Sequence, residues 1–297
     1  MEVSVTRFPH LAQRLFNTPI AIHPAKAEVV MAALADRLGI ARLFSAGQLV
    51  ALRPQAFDED EAAVQRGPRE DDAKGYRIVG GVALIEVSGT LVQKLGTLRP
   101  YSGMTGYDGI RLNLLAALRD PDVRAIAFLI DSPGGEVAGC FDLADTIHSL
   151  RGEKPLWAIL DENAFSAAYA IACACDRITV PRTGGTGSIG VIGMHVDFSE
   201  ALSQAGITVT MIRYGAHKAE GNPYEKLEAA ARARMQADID TMGELFVETV
   251  ARNRRLKASA IRGTKAETFL GAAGVAAGLA DAVQSPDQAF GALFRSL

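Results

Sequence analysis

Cysteine, histidine and tryptophan are scarce in this sequence, at 3, 5 and 1 of 297 residues. Cys140 stands alone, and Cys173 and Cys175 are separated by one residue, so neither a disulfide framework nor a C-x-x-C metal knuckle is available. His10, His23, His148, His195 and His217 form no H-x-x-x-H pair that could complete a zinc set. No metal and no cofactor is therefore expected, and the cysteine usage fits a reducing cytoplasm. A basic excess is also absent: 31 Lys and Arg stand against 34 Asp and Glu, a net charge of -3. Sequence-independent binding to nucleic acid or to an anionic membrane is thereby excluded as an expectation. No apolar run approaches the ~18 residues of a membrane span; Ala125–Ile130 and Ala167–Cys175 are the longest candidates. The opening string MEVSVTRFPH lacks the basic-then-apolar order of a secretory signal. A soluble, membrane-free chain is the expectation.

What is present is enough apolar material, 48% of residues, for one large core or two modest ones. Between Phe57 and Tyr76 about half the residues are charged, with Gly67 and Pro68 among them, and this composition predicts a linker over residues 57–76. Residues 1–56 before it are too few for a core of their own, although Ala27, Val30, Met31, Leu34 and Leu38 in Pro24–Leu38 have helical spacing. This part reads as an arm or docking segment, and residues 77–297 as the main domain. There, Val82–Val87, Ala125–Ile130, Leu156–Leu160, Arg177–Val180, Ile189–His195 and Ile207–Ile212 read as strands, several of them apolar on both faces. They alternate with predicted helices at Tyr107–Leu118, at Phe141–Leu150 and from Ser166 onward. The alternation predicts an α/β fold with a largely parallel sheet and covering helices. Lys226–Arg254 carries Met235, Ile239, Met242, Phe246 and Val250 on one stripe, an amphipathic helix laid on the core or on another subunit.

Four loops follow predicted strands, where open α/β sheets place ligands and catalytic groups. Asp131-Ser132-Pro133-Gly134-Gly135 exposes backbone N–H groups that can cradle an anion, or is a structural turn. Ser166, flanked by Ala164 and Ala168, has the small-x-Ser-x-small outline of a nucleophile elbow, or is the N-cap of the helix that it opens. Gly185–Gly190 spells G-x-G-x-x-G, yet a β-rich run follows it and no acid lies near Thr208–Arg213, so a dinucleotide site is rejected. Lys218, in Tyr214–Gly221, is either a solvated charge or a general base. A lysine amine has a pKa of ~10.4 in water, so it becomes a base near neutrality only where burial favours its uncharged form. For a Ser/His pairing, His217 and His148 would be the available bases.

Taken together, D-S-P-G-G at 131–135, the Ser166 loop, G-S-I-G-V at 187–191 and the Lys218 loop resemble the signal peptide peptidase A family, over about Val79 to Val283. The resemblance implies a fold of the Clp-protease/crotonase type and a Ser/Lys peptidase. It implies Ser166 as nucleophile, Lys218 as general base, Ser188 as the hydroxyl that holds the lysine amine, and the backbone N–H groups of Gly135 and Ala167 as the oxyanion hole. Single-repeat members form rings in which the serine of one subunit meets the lysine of the next, so a homo-oligomeric ring with shared sites is expected. The string from Asn17 to Lys26 looks like that of prophage-encoded members. That favours a head-maturation protease that trims scaffold or capsid precursors, in the host cytoplasm or within the prohead. The alternatives are a cytoplasmic enzyme of the same family that degrades peptide remnants, a non-catalytic capsid-assembly component, and a crotonase-type acyl-CoA enzyme.

Overall fold

The computed structural model describes residues 19–23, 74–101 and 103–297. The predicted helical spacing of Pro24–Leu38 and most of the charged stretch lie outside the described residues. The strands are β1 (Ile20–Ile22), β2 (Arg77–Val79), β3 (Val82–Ser88), β4 (Thr90–Val92), β5 (Met104–Gly106), β6 (Ala125–Ser132), β7 (Gly134–Glu136), β8 (Leu156–Phe165), β9 (Arg177–Val180), β10 (Gly185–Gly187), β11 (Thr268–Leu270) and β12 (Ala282–Val283). The helices are α1 (Tyr107–Arg119), α2 (Cys140–Ser149), α3 (Ala167–Cys173), α4 (Ser199–Gln204), α5 (Ala229–Arg254), α6 (Ala258–Gly263), α7 (Ala272–Ala276) and α8 (Pro286–Arg295).

The main sheet runs β11-β10-β8-β6-β3-β2, with β9 also on β8 and β12 on β9. Its interior pairings, β3 with β6, β6 with β8, β8 with β9 and β8 with β10, are all parallel, and the antiparallel pairings are with β2 and β11. This is the α/β architecture with a largely parallel sheet. Its strands are apolar on both faces because both faces are covered. On β6, Ile126, Phe128 and Ile130 face a large cluster that includes α1, α2, α3 and the C-terminal half of α5. Ala125 and Ala127 face a smaller one closed by Ala289 and Leu293 of α8. Ser285 starts α8 with a capping box to Gln288, and Pro286 occupies the first turn.

A second sheet, β1-β7-β4-β5, stands beside the first. Its strands are three residues long, and one of them, β1, comes from the predicted arm. Tyr76, the last residue of the charged stretch, is buried, and its hydroxyl donates to Asp120 (3.1 Å), which also pairs with Lys74 (2.7 Å).

Two expected strands do not form. Ile189–His195 contributes a single bridge, Ile192 to Ile20, and Ile207–Ile212 is irregular and exposed. The apolar residues in these runs have no ladder to join: Ile207 and Ile212 are exposed, and Gly193 lies against Ile239 of α5. Helix α5 carries the predicted stripe, with Phe246 and Val250 buried but Met235, Ile239 and Met242 only partly covered. Its C-terminal half is in the core and its N-terminal half extends beyond it.

Candidate active site

The long strand β8 delivers Ser166. Its first half pairs with β9 (Trp157–Ile159 against Arg177–Thr179), and its end pairs with β10 (Ala164 with Thr186, Phe165 with Gly187). Against β6 the register jumps: Ile130 faces Leu160 and Ser132 faces Ala164. Strand β8 therefore spends two more residues than β6 over this step, an irregularity of the kind that re-aims a strand end. The chain then turns directly from β8 into α3, and Ser166 is the turn.

Ser166 has φ 53° and ψ -121°, and its side chain makes no capping hydrogen bond. An N-cap serine would have extended dihedrals and accept from the second or third helical N–H, so the capping reading fails on both counts. A non-glycine residue at this φ is strained, at a cost of order 1–3 kcal/mol, and such strain persists only where the surroundings enforce it. Here they do. The Ser166 N–H donates to the Gly187 carbonyl (2.9 Å), and its carbonyl accepts from Tyr169 (2.8 Å) and Ala170 (3.1 Å). The hydroxyl's one contact, to the Gly190 carbonyl at 3.4 Å, is too long for a strong O–H···O bond, which leaves the proton uncommitted.

Helix α3 is held rigidly at its far end. All seven of its residues are buried, which the run Ala-Ala-Tyr-Ala-Ile-Ala-Cys permits by its small side chains, and the Tyr169 hydroxyl donates to the Leu279 carbonyl (2.9 Å). Arg151 donates to the carbonyls of Cys173 (2.8 Å), Ala174 (2.8 Å) and Cys175, a cation on carbonyls that a helix end leaves without partners. At the near end, Ala167 is the first helical residue and has no intrahelical acceptor for its N–H. Burial pushes the Cys140 thiol up to about 12 and the Cys173 thiol up to about 11, and raises Cys175 as well, so none of the three supplies a thiolate nucleophile.

The D-S-P-G-G loop becomes the end of β6 and the strand β7, which packs beside Ser166. Gly134 has φ +102°, and a Cβ there would collide with the Ala21 carbonyl oxygen while standing 3.0 Å from the Ser166 Cβ. A Cβ on Gly135 would collide with the Leu91 carbonyl, so both glycines are required by close backbone approach. The Ser132 hydroxyl ties the loop down, donating to Gly89 (2.7 Å) and accepting from the Gly134 N–H (3.2 Å).

Ser188 follows β10, one register step beyond the Phe165–Gly187 pair, which sets it next to Ser166. It too has positive φ, 53°, and its N–H donates to the Glu267 carbonyl (2.9 Å). Ser166, Ser188, Gly135 and Ala167 thus converge at the C-terminal ends of β8 and β10, beside β7. Lys218 does not join them within the chain. It lies in an exposed turn, with no hydrogen bond or ion pair from its side chain among the described residues. Its neighbours are anchored instead: Glu220 accepts from Arg234 Nε of α5 (2.9 Å), pairs also with Arg234 Nη2, and contacts His217 Nδ1 (2.6 Å). His217 is therefore engaged away from Ser166. Around this turn Ile212 and Tyr214 are 96% and 99% exposed.

Two contributors escaped the sequence analysis. His23 stacks on Phe165, ring centroids 5.1 Å apart, and Ala21 lies against the Gly134–Ser166 contact. The sequence offered the string from Asn17 to Lys26 only as a likeness to prophage-encoded members, and His23 only as one of five histidines, with no sign that either packs at the site. Among the described residues no group of His, Cys, Asp or Glu has the makings of a metal site, and no helix is long and apolar enough to cross a membrane.

The model of peptidase family S49 matches residues 148–294, a stretch that contains Ser166, Ser188 and Lys218. The chain is 43% identical over 289 residues to the head-tail preconnector protein GP5 of Enterobacteria phage P21, covering 97% of this chain and 57% of that protein. It is 38% identical over 289 residues to the capsid assembly protease C of Escherichia phage lambda, covering 95% of this chain and 64% of that protein. The chain thus spans about three fifths of the length of these relatives. Solved structures similar to it include an enoyl-CoA hydratase/isomerase family member (18% identity, 74% of each chain, TM-score 0.43) and ClpP1 of Listeria monocytogenes (13% identity, 68% and 90% of the chains, TM-score 0.42). Over residues 148–294, which contain the strained serine turn, this chain is similar to peptidase family S49.

Proposed function

We propose that this protein is a serine endopeptidase in which Ser166 is the nucleophile and Lys218 of a neighbouring copy is its general base. The observation that carries this reading is the Ser166 turn: a buried, strained serine with an uncommitted hydroxyl between a strand and a helix, beside a close-packed glycine pair. The neutral Lys218 amine takes the proton as Ser166 Oγ attacks the scissile carbonyl carbon. The N–H groups of Gly135 and Ala167 receive the developing oxyanion. Lys218 then passes the proton to the departing amine, and water, deprotonated in turn by Lys218, hydrolyses the acyl ester. The Ser188 hydroxyl orients the amine.

An exposed lysine is a poor base, because water favours its charged form. Burial of the Lys218 turn against a second copy would remove that water, and Ile212 and Tyr214 beside it supply apolar surface for such a contact. The substrate class that the relatives' names favour is a precursor protein of a phage head, cut in flexible segments during maturation.

The test is complementation. Ser166→Ala and Lys218→Ala should each lower peptide hydrolysis by at least ~1000-fold with unchanged circular dichroism, and His217→Ala should be mild. Dissociated and reassembled together, the two inactive proteins should regain part of the activity, since some interfaces then pair an intact serine with an intact lysine. Mixed oligomers without activity would show that each subunit holds a complete site. A Lys218→Ala protein that still hydrolyses peptide while His217→Ala does not would replace the base.

A further inference from the structure

The nucleophile proposed above is 1% exposed, which no peptide bond in solution can reach. What lies over it is β1. Ile22, Ala21 and Ile20 pair antiparallel with Gly134, Gly135 and Glu136. On its other side, Ile20 exchanges both backbone hydrogen bonds with Ile192 (3.0 and 2.9 Å), again antiparallel. The segment is thus laced on both edges to the two loops that flank Ser166. Its ends are held too, one by the His23 N–H on the Pro133 carbonyl (2.8 Å) and the His23 ring on Phe165, the other by the Val137 N–H on the Pro19 carbonyl (3.5 Å). The Ala21 carbonyl oxygen meets the same point above Gly134 that lies 3.0 Å from Ser166 Cβ.

A peptide about to be cut must lie extended past the nucleophile, with a carbonyl carbon within ~3–3.5 Å of it and its backbone fixed. Adding a strand between two existing edges is the usual way to fix it, with main-chain bonds giving affinity and alternate side-chain positions giving selectivity. Pro19–His23 satisfies this description in its extended backbone and in its pairing on both sides.

We propose that the channel between β7 and Gly190–Ile192 is the substrate's backbone site, and that Pro19–His23 is an intramolecular occupant that must leave before a substrate strand enters. This rests on the peptidase reading, and adds to it both a built-in block and a preference. The position of Ala21, fully buried between backbones, takes a small side chain; the flanking positions of Ile20 and Ile22, each less than 10% exposed, take aliphatic ones. Preferred substrates are extended segments of aliphatic-small-aliphatic pattern, the chemistry of the chain's own Ile-Ala-Ile.

The lock that tests this follows from the Ile20–Ile192 pair. Hydrogen-bonded antiparallel pairs have Cα atoms ~5.5 Å apart, within the range a disulfide spans. In the full chain carrying Ile20→Cys, Ile192→Cys and Ser166→Ala, oxidation pins the strand and reduction frees it, while the native cysteines are all buried. A fluorescent peptide of residues 17–25 should bind the reduced protein and bind the oxidised protein at least ~10-fold more weakly. Equal binding in both states, or binding in neither, overturns the proposal. If the double cysteine variant does not fold, the single variant Ala21→Pro, which removes the Ala21 N–H and loosens the strand, serves in its place. It should bind the same peptide more tightly than the wild-type chain, and equal binding overturns the proposal. No catalysis enters these measurements. The peptidase reading stands or falls separately, on whether a fluorophosphonate probe labels Ser166 in the reduced double cysteine variant that retains the serine.

Discussion

Among single residues, Ser166 and Ser188 share an unusual feature: both are non-glycine residues at φ 53°, on adjacent parallel strand ends. Residues strained in this way are retained where a side chain must be aimed. If Ser188 orients the lysine of the proposed site, Ser188→Ala should lower kcat by ~10- to ~1000-fold, the range seen for positioned polar groups, while KM changes little. An unchanged kcat would remove Ser188 from the site. The local sequence carried the Ser166 turn in part, through small neighbours at Ala164 and Ala168, but left open whether the serine was a cap. Only the dihedrals and the missing capping bond separate the two. The strain at Ser188 has no local signature, because the Glu267 carbonyl that holds its N–H comes from 79 residues further on.

Among elements, the central strands were legible because strands covered on both faces carry near-continuous apolar runs, as Val82–Ile85 of β3, Ala125–Ile130 of β6 and Leu156–Leu160 of β8 do. The small sheet was not. Three-residue strands such as β5 (Met-Thr-Gly) and β7 (Gly-Gly-Glu) are too short to show a period, and glycine has no side chain to alternate. Ile207–Ile212 erred in the opposite direction, since its apolar residues are exposed rather than built into a ladder. Helix α5 divides by burial, and its two halves should respond differently to mutation. Phe246 is fully buried and meets the Phe141 ring edge-on at 5.4 Å, so Phe246→Ala should cost about 3–5 kcal/mol in denaturant unfolding. Ile239→Ala, on the partly covered half, should cost much less.

The link between α5 and the Lys218 turn has its own pH dependence. The Arg234 guanidinium, with His217 beside it, holds the Glu220 carboxyl down at about 2 against an ordinary 4.5. A carboxyl lowered on folding contributes its stabilisation above the ordinary value and loses it as pH falls through the folded one. The turn should therefore stay anchored from neutral pH down to about pH 4.5, and loosen between there and about pH 2. Hydrogen exchange over residues 214–222, corrected for intrinsic rates, should show protection lost in that window, and Glu220→Gln should lack protection even at pH 7. Activity that rises on the alkaline side would then owe nothing to this anchor.

At the scale of the whole molecule, the apolar core does not extend over the Lys218 turn. Ile207, Ile212, Tyr214 and Tyr224 are exposed within one stretch, and the uncovered half of α5 stands next to it. Such a group of exposed apolar side chains is a candidate contact surface between copies. Ile212→Asp combined with Tyr214→Asp should shift the mass in light scattering toward the single chain, leave the unfolding midpoint of the core unchanged, and abolish hydrolysis if the site is shared. A fully active single chain would refute the shared site. Sequence alone placed Ser166 at a strand-to-helix turn, but the strand expected ahead of Lys218 does not form, and the lysine's distance from the serine was not legible, since in a shared site that distance is a property of two chains.

Strand β10 has one further consequence, and it concerns time. It is held on one side by β8, which precedes it closely, and on the other by β11, whose residues Thr268–Leu270 come some 80 positions later. Until that late segment arrives, Ser188 lacks the Glu267 carbonyl and β10 is an unsupported edge. At ~5–20 residues per second of synthesis, the gap between Ser188 and Thr268 lasts about 4–16 s. A growing chain thus passes through some 80 residues, more than a quarter of this sequence, with the proposed nucleophile made but its neighbour not yet seated. The order of residues along the chain acts as a delay, and the proposed site is completed only after the segment around Thr268 has been made.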